Sequence, residues 1–273
     1  MKTTIIAVPL EDGSQIEGSA KLSEYLKQND ITYDTDVFFA KAETARKTVY
    51  NCCRKTKQAV LDCLEKKQFP LIIGGDHAVS IGSVSAIIQK HDVSIVWIDA
   101  HTDINTPEAS ITKRIHGMPL ATLMKNGYPE LSALTEDKAI RNEDIVFLGP
   151  RSMNPYEKEY LSINDMHAYD DIYIKKHSIQ KVLEEVKGII KKPIHISLDL
   201  DVFDPQHCPG VNTPVENGLS IDEVKVMLNY LFDNFTVISM DLVEYNPLKD
   251  VDNKTVDIIK RIIRLIKEKV NNF

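Results

Sequence analysis

Three runs in this chain, residues 69–73, 95–98 and 145–148, are apolar without interruption, and they constrain the fold more than any other feature. A strand that lacks alternating polar residues is buried on both faces, as in a parallel sheet covered by helices on each side. Helical patterns, such as the long one over residues 44–67, alternate with the predicted strands. The sequence therefore predicts an α/β fold: a single domain over residues 1–273, with three α/β/α layers and a mostly parallel central sheet.

Side chains that bind metal ions stand where three of the predicted strands end. The segment Asp-Ala-His-Thr-Asp follows the strand at residues 93–98, Gly-Gly-Asp-His follows residues 69–73, and Asp-Leu-Asp follows the strand at residues 193–198. Alternate side chains of an extended chain point the same way, so donors separated by one residue can converge. In open parallel sheets, ligands bind beyond the carboxyl ends of the strands. The candidate donors are His77, Asp99, His101, Asp103, Asp199 and Asp201.

Four carboxylates in one crevice repel each other unless protons or cations neutralise them. Two divalent cations would balance the four charges, and the two histidines would add nitrogen donors. A donor set rich in oxygen suits Mn²⁺ better than Zn²⁺, which prefers fewer ligands rich in nitrogen and sulfur. These residues favour a dinuclear metal site. Taken singly, each motif also fits a solvated loop, and the turn at Gly74 and Gly75 could instead hold a phosphate at a helix N-terminus, although no Lys-Ser/Thr follows it.

Five motifs also occur in the order found in a known family, the ureohydrolases, which include the arginases and agmatinases. The motifs are Gly-Gly-Asp-His77, Asp99-Ala-His101-Thr-Asp103, His116-Gly, Ser197-x-Asp199-x-Asp201-x-x-Asp204-Pro and Glu244. The chain resembles this family from about residue 70 to its C-terminus, and it looks most like a bacterial-type arginase. The resemblance implies an arginase-like fold.

The resemblance further implies how two Mn²⁺ ions would be bound. One ion would take His77, Asp99, Asp103 and Asp199, and the other would take Asp99, His101, Asp199 and Asp201. A hydroxide bridging the two ions would attack the guanidinium carbon of a small substrate. The implied reaction is the hydrolysis of L-arginine to L-ornithine and urea.

Several residues outside the ligand set acquire roles from the same resemblance. His116 would move protons, since a histidine titrates near neutral pH, and Asp103 would handle the proton of the hydroxide. A loop histidine bonded to the backbone is the alternative for His116. Glu244 would pair with the planar cationic group of the substrate. The implied substrate-binding positions are Asn105, Thr112, Arg114, Asn154, Thr213 and Glu244.

Three of these positions depart from the arginase pattern. Asn154 stands where arginases usually have an aspartate for the α-amino group, Arg114 replaces an asparagine, and Thr112 replaces a serine. An amide binds an ammonium group more weakly than a carboxylate does, and Arg114 could favour a substrate that carries a carboxylate. Arginase activity is therefore predicted first, with agmatinase, guanidino-acid hydrolase or formiminoglutamase as the alternative.

Two interpretations from other functional classes stay open at this point. The segment from Asp199 to Phe203 approaches the Asp-x-Asp-x-Thr/Val motif of haloacid-dehalogenase phosphatases, but Phe203 does not fit it, and the other metal donors would have no role. A metal-binding regulator without catalysis is also compatible, because the departures from the arginase pattern lie where substrate would bind.

Charge and composition narrow the classes of partner. The formal net charge of −7 argues against general nucleic-acid binding, which requires a basic surface. No apolar run is long enough to span a membrane, and the four cysteines show no C-x-x-C spacing. We therefore expect a cytoplasmic protein that binds a small guanidino or amidino substrate and neither nucleic acid nor membrane. The resemblance implies a homo-oligomer, either a trimer or a hexamer.

Overall fold

The computed structural model describes residues 1–271 and contains one sheet of eight strands, all paired in parallel. The strands are β1 (Thr3–Val8), β2 (Thr35–Asp36), β3 (Phe69–Gly74), β4 (Ser94–Ile98), β5 (Ile145–Leu148), β6 (His167–Tyr169), β7 (Ile194–Asp199) and β8 (Val237–Val243). They lie in the order β2-β1-β3-β8-β7-β4-β5-β6. The predicted α/β class and the mostly parallel sheet are thereby confirmed.

In this part of the chain, ten α-helices connect and cover the strands. They are α1 (Leu22–Gln28), α2 (Ala45–Glu65), α3 (Val79–Lys90), α4 (Pro119–Leu123), α5 (Pro129–Ser132), α6 (Pro155–Ile163), α7 (Asp171–His177), α8 (Ile179–Ile189), α9 (Ile221–Asn234) and α10 (Lys254–Asn271). Within the described chain, none of these helices combines the length and the apolar character needed to cross a bilayer.

The sheet separates two hydrophobic cores, because successive side chains of each strand point to opposite faces. On one face, Ile194, Ile196 and Leu198 of β7 pack with buried residues of α8, α9 and α10. On the other face, Trp97 of β4 and Phe147 of β5 pack with α2, α3 and α4. The sheet and the helices on its two faces form the three layers expected from the sequence. Helix α3 covers the second of these faces, next to the candidate site.

The sequence patterns missed the two edge strands, β2 and β6. They contain two and three residues, too few for a periodic pattern to be recognised. The remaining strands lie where the apolar runs predicted them, since burial on both faces leaves a distinct sequence signal.

Candidate active site

The carboxyl ends of β3, β4 and β7 bring all six predicted metal donors into one crevice. β8 lies between β3 and β7 and contributes Glu244 to the same edge. Five of the six donors are buried, and His101 is the exception, with a side chain that is 25% exposed. The crevice therefore holds a dense group of ionisable side chains that are shielded from water.

A glycine turn places His77 over the end of the sheet. β3 ends at Gly74, and a Cβ atom on Gly75 would lie 2.3 Å from the carbonyl oxygen of Leu10, so no larger residue fits there. His77 stands two residues after Gly75 and two residues before α3 begins. Its backbone N–H donates to Glu244 Oε1 at 2.8 Å, which connects the end of β3 to the end of β8.

One cluster of donors surrounds the Nδ1 atom of His77. This atom lies 2.9 Å from Asp199 Oδ2, 3.1 Å from Asp99 Oδ2 and 3.2 Å from Asp103 Oδ2. Ligand atoms of His77, Asp99 and Asp199 all lie within 4.8 Å of one another, close enough to share one cation. Three strands thus supply a single potential coordination sphere.

A second cluster shares Asp99 with the first. His101 Nδ1 lies 3.1 Å from Asp201 Oδ2 and 3.4 Å from Asp99 Oδ1, and ligand atoms of these three residues again lie within 4.8 Å of one another. The second oxygen of Asp99 belongs to the first cluster. Asp99 is therefore positioned between the two potential cation sites.

The donors after β4 do not converge by strand alternation, which differs from the reason expected from the sequence. β4 ends at Ile98, and the residues after it form bends. Asp103 has a left-handed backbone with φ of 52°, uncommon for a residue other than glycine. The bend turns Asp103 back toward His77, so the loop, rather than an extended strand, produces the convergence.

Like charges disturb the protonation of this group of residues. Burial raises the pKa of Asp103 and of Asp199 well above the ordinary value, and the neighbouring charge of Asp99 raises both pKa values further. Burial also acts to raise the pKa of Asp99, but the hydrogen bonds and charges of His101 and His77 outweigh it and hold the pKa well below the usual range. The site thus retains protons unless a cation replaces them.

The residues fit divalent cations. Among residues 1–271, no lysine or arginine lies within salt-bridge distance of the four carboxylates, and their only charged partners are His77 and His101. Buried carboxylates without a counter-charge are costly, and carboxylate oxygens with imidazole nitrogens are donors that Mn²⁺ accepts. A bound cation would replace the protons that the raised pKa values of Asp103 and Asp199 favour in its absence.

The His77 pKa predicts the pH dependence of stability in the cation-free protein. Burial lowers the pKa of His77, but the hydrogen bond to Asp99 and the charges of Asp103 and Asp99 raise it more, to about 9. Below pH 6.5 the imidazolium exists in both the folded and the unfolded chain, and its stabilising contribution is lost as the pH rises through 9. We expect the free energy of unfolding to fall by about 3 kcal/mol between pH 6.5 and pH 9.

Urea unfolding followed by circular dichroism in a chelating buffer would measure this decrease. Saturation with Mn²⁺ is the control, because a coordinated His77 has already lost its proton and the stability should then change less over the same pH interval. A pH-independent free energy of unfolding in the chelating buffer would contradict the prediction.

Glu244 occupies a strained position between the cation sites and His116. It follows β8 with φ of 67°, again left-handed. Its Oε1 atom accepts from the backbone of His77 and lies 3.0 Å from His116 Nδ1. Its Oε2 atom is buried and has no hydrogen-bond partner among the described residues. One oxygen is therefore committed to positioning, and the other is left for a donor from outside the chain.

A loop near the N-terminus, residues 11–18, holds His116 in place, which the sequence patterns did not indicate. The backbone N–H of His116 and that of Ile115 both donate to the carbonyl of Gly13. The buried carboxylate of Asp76 accepts from the backbone N–H of Gly13 at 2.9 Å. Asp76 thus connects the loop that supports His116 to the turn that carries His77.

The predicted substrate residues fall into two sets. Thr213 donates to Asp201 Oδ2 at 3.1 Å and so lies directly beside the second donor cluster. Asn105 and Asn154 lie together, with Asn154 Nδ2 donating to Asn105 Oδ1 at 2.7 Å. Thr112 is exposed, and its hydroxyl accepts from the backbone of Arg114 at 3.3 Å. The Arg114 side chain makes no hydrogen bond within residues 1–271 and is half-buried.

Arg151 stabilises the loop after Asp201, whereas the sequence suggested only that it could line the mouth of the site or be solvated. Its guanidinium donates to the carbonyls of Asp201 at 2.8 Å and Val215 at 2.7 Å, and also to that of Val202. Fixed side chains of this kind keep a binding site rigid before ligand arrives. An arginine after a strand carries no pattern that distinguishes this role from a solvated one.

Trp97 supports the first donor cluster from below. Its indole stacks on the His77 ring, with centroids 4.1 Å apart and an interplanar angle of 3°, and its Nε1 atom donates to Asp99 Oδ2 at 2.9 Å. Trp97 is the only tryptophan in the chain. Any change in the electrostatics of the site should therefore alter its fluorescence.

The chain as a whole is similar to proteins of a known family. The chain matches the model of the "Arginase family" over residues 6–266. It is 38% identical over 206 residues to an arginase of Bacillus subtilis (strain 168), covering 74% of this chain and 69% of that protein. A crystal structure of an arginase from Bacillus subtilis superposes with a TM-score of 0.86 at 32% identity, covering 96% of this chain and 97% of that one. A formimidoylglutamase from the same species shares the fold alone, with a TM-score of 0.81 at 20% identity over 99% of this chain and 88% of that one.

Proposed function

Because the chain belongs to the arginase family and is therefore a ureohydrolase, a hydrolase of carbon–nitrogen bonds, we propose that it converts L-arginine to L-ornithine and urea with two Mn²⁺ ions. His77, Asp99, Asp103 and Asp199 would hold one ion, and Asp99, His101, Asp199 and Asp201 would hold the other. When bound, the ions would acidify a water molecule as the nucleophile and neutralise the crowded carboxylates.

The unpartnered oxygen of Glu244 is the observation that carries the proposal. Its Oε2 atom is buried and has no donor within residues 1–271, while Oε1 is held by His77 and His116. A buried carboxylate oxygen without a partner is costly, and a guanidinium group offers planar N–H donors that match it. Glu244 would orient the guanidinium of the substrate beside the donor clusters and exclude neutral groups that bring no donor.

His116 would supply the proton that the departing amine requires. Burial lowers the pKa of His116, but the charge and hydrogen bond of Glu244 raise it more, so that the net pKa lies above the ordinary value. The raised pKa favours the protonated ring, the form that a general acid requires. Asp103, which lies 3.2 Å from His77 Nδ1 in the first donor cluster, would accept the proton of the attacking water.

A second candidate, hydrolysis of a guanidino acid without an α-amino group, is favoured by the contacts of Asn154. Its Oδ1 atom accepts from the backbone of Glu157 at 3.0 Å and caps α6, and its Nδ2 atom donates to Asn105. Both ends of the amide are therefore occupied within the protein. An α-ammonium group would find no carboxylate at this position, which weakens discrimination for L-arginine.

Two cationic side chains, Lys249 and Arg114, also favour a substrate with an anionic end. Lys249 donates to the carbonyl of Asn212, beside Thr213, at 2.8 Å. Burial lowers the pKa of Lys249; the charge of Glu244 opposes this effect, and that of Arg114 adds to it. Arg114 and Lys249 thus lie near one another at the rim. A substrate with an anionic end would be attracted by both cations, and agmatine, which ends in an ammonium group, would be repelled.

Substitution of Asn154 by aspartate tests the choice between the two substrates. We expect Asn154→Asp to raise kcat/KM for L-arginine relative to 4-guanidinobutyrate by about tenfold, since a charged hydrogen bond to an ammonium group adds about 1.4 kcal/mol. Initial rates of urea release with Mn²⁺ would be compared for L-arginine, agmatine and 4-guanidinobutyrate, and formiminoglutamate would be assayed by its disappearance. Asn164→Asp, at the other end of α6, is the matched control.

The outcomes separate the candidates. Turnover of another substrate with no urea from L-arginine would reject arginase activity and keep the ureohydrolase class. Metal-replete protein that hydrolyses none of the four compounds would favour a regulator. We further propose that the enzyme acts in the cytoplasm as a homo-oligomer, a trimer or a hexamer, with no nucleic-acid or membrane partner.

A further inference from the structure

A second buried polar network lies directly beneath the donor clusters, between α3 and the sheet. Its members on the strands are His195 of β7 and Asp241 and Ser239 of β8, and none of them is exposed to solvent. His195 Nδ1 lies 2.7 Å from Ser239 Oγ, and His195 Nε2 lies 3.5 Å from Asp241 Oδ2. None of these residues has a role in the chemistry described above.

Asp241 connects this network to the helix that begins just after His77. Its Oδ2 atom accepts from Ser80 Oγ at 2.7 Å and also from Ser83 Oγ. Ser80 stands in the first turn of α3, three residues after His77. One carboxylate oxygen on β8 therefore fixes two hydroxyls of α3 and sets the position of the helix along and around its axis.

The same face of the sheet also contacts His77 directly. Ser197 pairs with Asp241 across β7 and β8, and its Oγ atom lies 2.8 Å from His77 Nε2. The Nδ1 atom of the same ring faces the donor carboxylates. The orientation of the imidazole thus depends on Ser197 at one nitrogen and on the position of α3 through the backbone.

Stability of the fold does not account for this arrangement. A buried pair such as His195 and Asp241 is weak evidence for stability, because apolar residues of similar volume often stabilise as well or better. Burial raises the pKa of Asp241, but the nearby His195 ring and the hydrogen bonds from the hydroxyls of Ser83 and Ser80 outweigh it, so the net pKa lies below the ordinary value and the carboxylate is charged. A charged acceptor holds hydroxyl groups more firmly than a neutral one.

We propose that Asp241, with His195 behind it, is a positioning residue that orients His77 for cation binding through Ser80 and Ser83 of α3. The inference rests on the proposed metal site, since His77 has to be a ligand for its orientation to matter. Partners that orient a metal ligand typically change metal affinity by about 10- to 100-fold when they are removed.

The serines of α3 provide a test with a matched control. Ser85 lies on the same helix and is fully buried, but its hydroxyl has no hydrogen-bond partner among the described residues. The double variant Ser80→Ala/Ser83→Ala loses the hydrogen bonds to Asp241. The control Ser85→Ala removes a buried hydroxyl from the same helix and leaves those hydrogen bonds intact. Mn²⁺ would be titrated into the metal-free full chain, with quenching of Trp97 fluorescence as the signal, because Trp97 stacks on His77.

We expect the double variant to bind Mn²⁺ about 10-fold more weakly than the wild type, and Ser85→Ala to bind within about twofold of it. Asp241→Asn should weaken binding further, and the serine variants keep the test valid where that variant fails to fold. Metal content after dialysis, measured by elemental analysis, should follow the same order.

Two results would overturn the inference and can be told apart. Equal Mn²⁺ affinity in the wild type and the double variant, with lower thermal stability in the latter, would mean that the network serves the fold alone. A wild-type protein that neither takes up Mn²⁺ nor changes its Trp97 fluorescence would overturn the proposed metal site, and the inference with it.

Discussion

Asp199→Asn is expected to lower kcat/KM by about 10⁴-fold or more. Enzymes accelerate reactions by about 10⁶-fold or more, and here most of that acceleration would depend on the cations that Asp199 is proposed to bind. Its Oδ2 atom lies 2.9 Å from His77 Nδ1, and its Oδ1 atom accepts from the backbone of Asp201 at 2.7 Å. An amide keeps the size of the side chain and removes the charge. The variant should therefore retain the fold and fail to take up Mn²⁺.

The same substitution should stabilise the cation-free protein. Burial and the neighbouring charges of Asp201 and Asp99 raise the pKa of Asp199, so an ionised Asp199 destabilises the folded chain at neutral pH. We expect Asp199→Asn to raise the free energy of unfolding at pH 7 by about 1 to 3 kcal/mol in a chelating buffer. Stability and activity would then change in opposite directions.

Chemical denaturation in the chelating buffer and urea release with saturating Mn²⁺ would measure the two effects. Asp257→Asn is the matched control, because its side chain is 58% exposed on α10 and, within residues 1–271, its one ion pair is with Lys260. The control should leave both quantities near the wild-type values. An Asp199→Asn variant that still binds two Mn²⁺ ions, or that is less stable without them, would contradict the assignment.

Glu244→Gln is expected to lower kcat/KM by about 10³-fold while leaving the Mn²⁺ content unchanged. The substitution removes the charge of the buried Oε2 atom that has no partner within the described chain. It also weakens the contact to His116 Nδ1, now 3.0 Å. A preorganised charged group that faces a substrate cation contributes about 3 to 4 kcal/mol, which corresponds to this decrease.

Steady-state kinetics of urea release would separate the two roles of Glu244. Loss of the substrate contact should raise KM. A weaker contact to His116 should lower kcat and shift the basic limb of its pH profile toward lower pH, because Glu244 raises the pKa of His116, the proposed general acid. Glu216→Gln, on an exposed loop at the same side, is the control. Unchanged kinetics in Glu244→Gln would contradict the substrate-binding role of Glu244 on which the proposed function depends.

The sequence was sufficient to predict six side chains that the fold brings into one crevice, and the positions of most strands along the chain. Each donor stands at or just beyond the end of an apolar run, and parallel strands bring such ends to one edge. The bend at Asp103 and the left-handed backbone of Glu244 could not be foreseen, because both are imposed by tertiary contacts on residues that do not ordinarily adopt them.

The residues that support the donors were hidden for a different reason. His195 and Asp241 lie inside strands, where a polar residue suggests only an interrupted apolar pattern. Ser197 belongs to a family motif, but nothing in the sequence indicated its contact with His77. Their contacts appear once β7 and β8 pair and α3 covers them. For Asn154, the sequence showed the departure from the arginase pattern, but only the structure shows that both ends of its amide are already occupied.

The brevity of the two outermost strands has a consequence for how molecules of this protein can associate. β2 and β6 expose only two and three residues of strand at the margins of the sheet, too little to template the backbone ladder of a neighbouring chain. Edge-to-edge growth into a continuous intermolecular sheet is thereby discouraged. Copies of the molecule that assemble must meet through helical surfaces and loops, so that quaternary contacts can change during evolution without disturbing the strand ends that carry the chemistry.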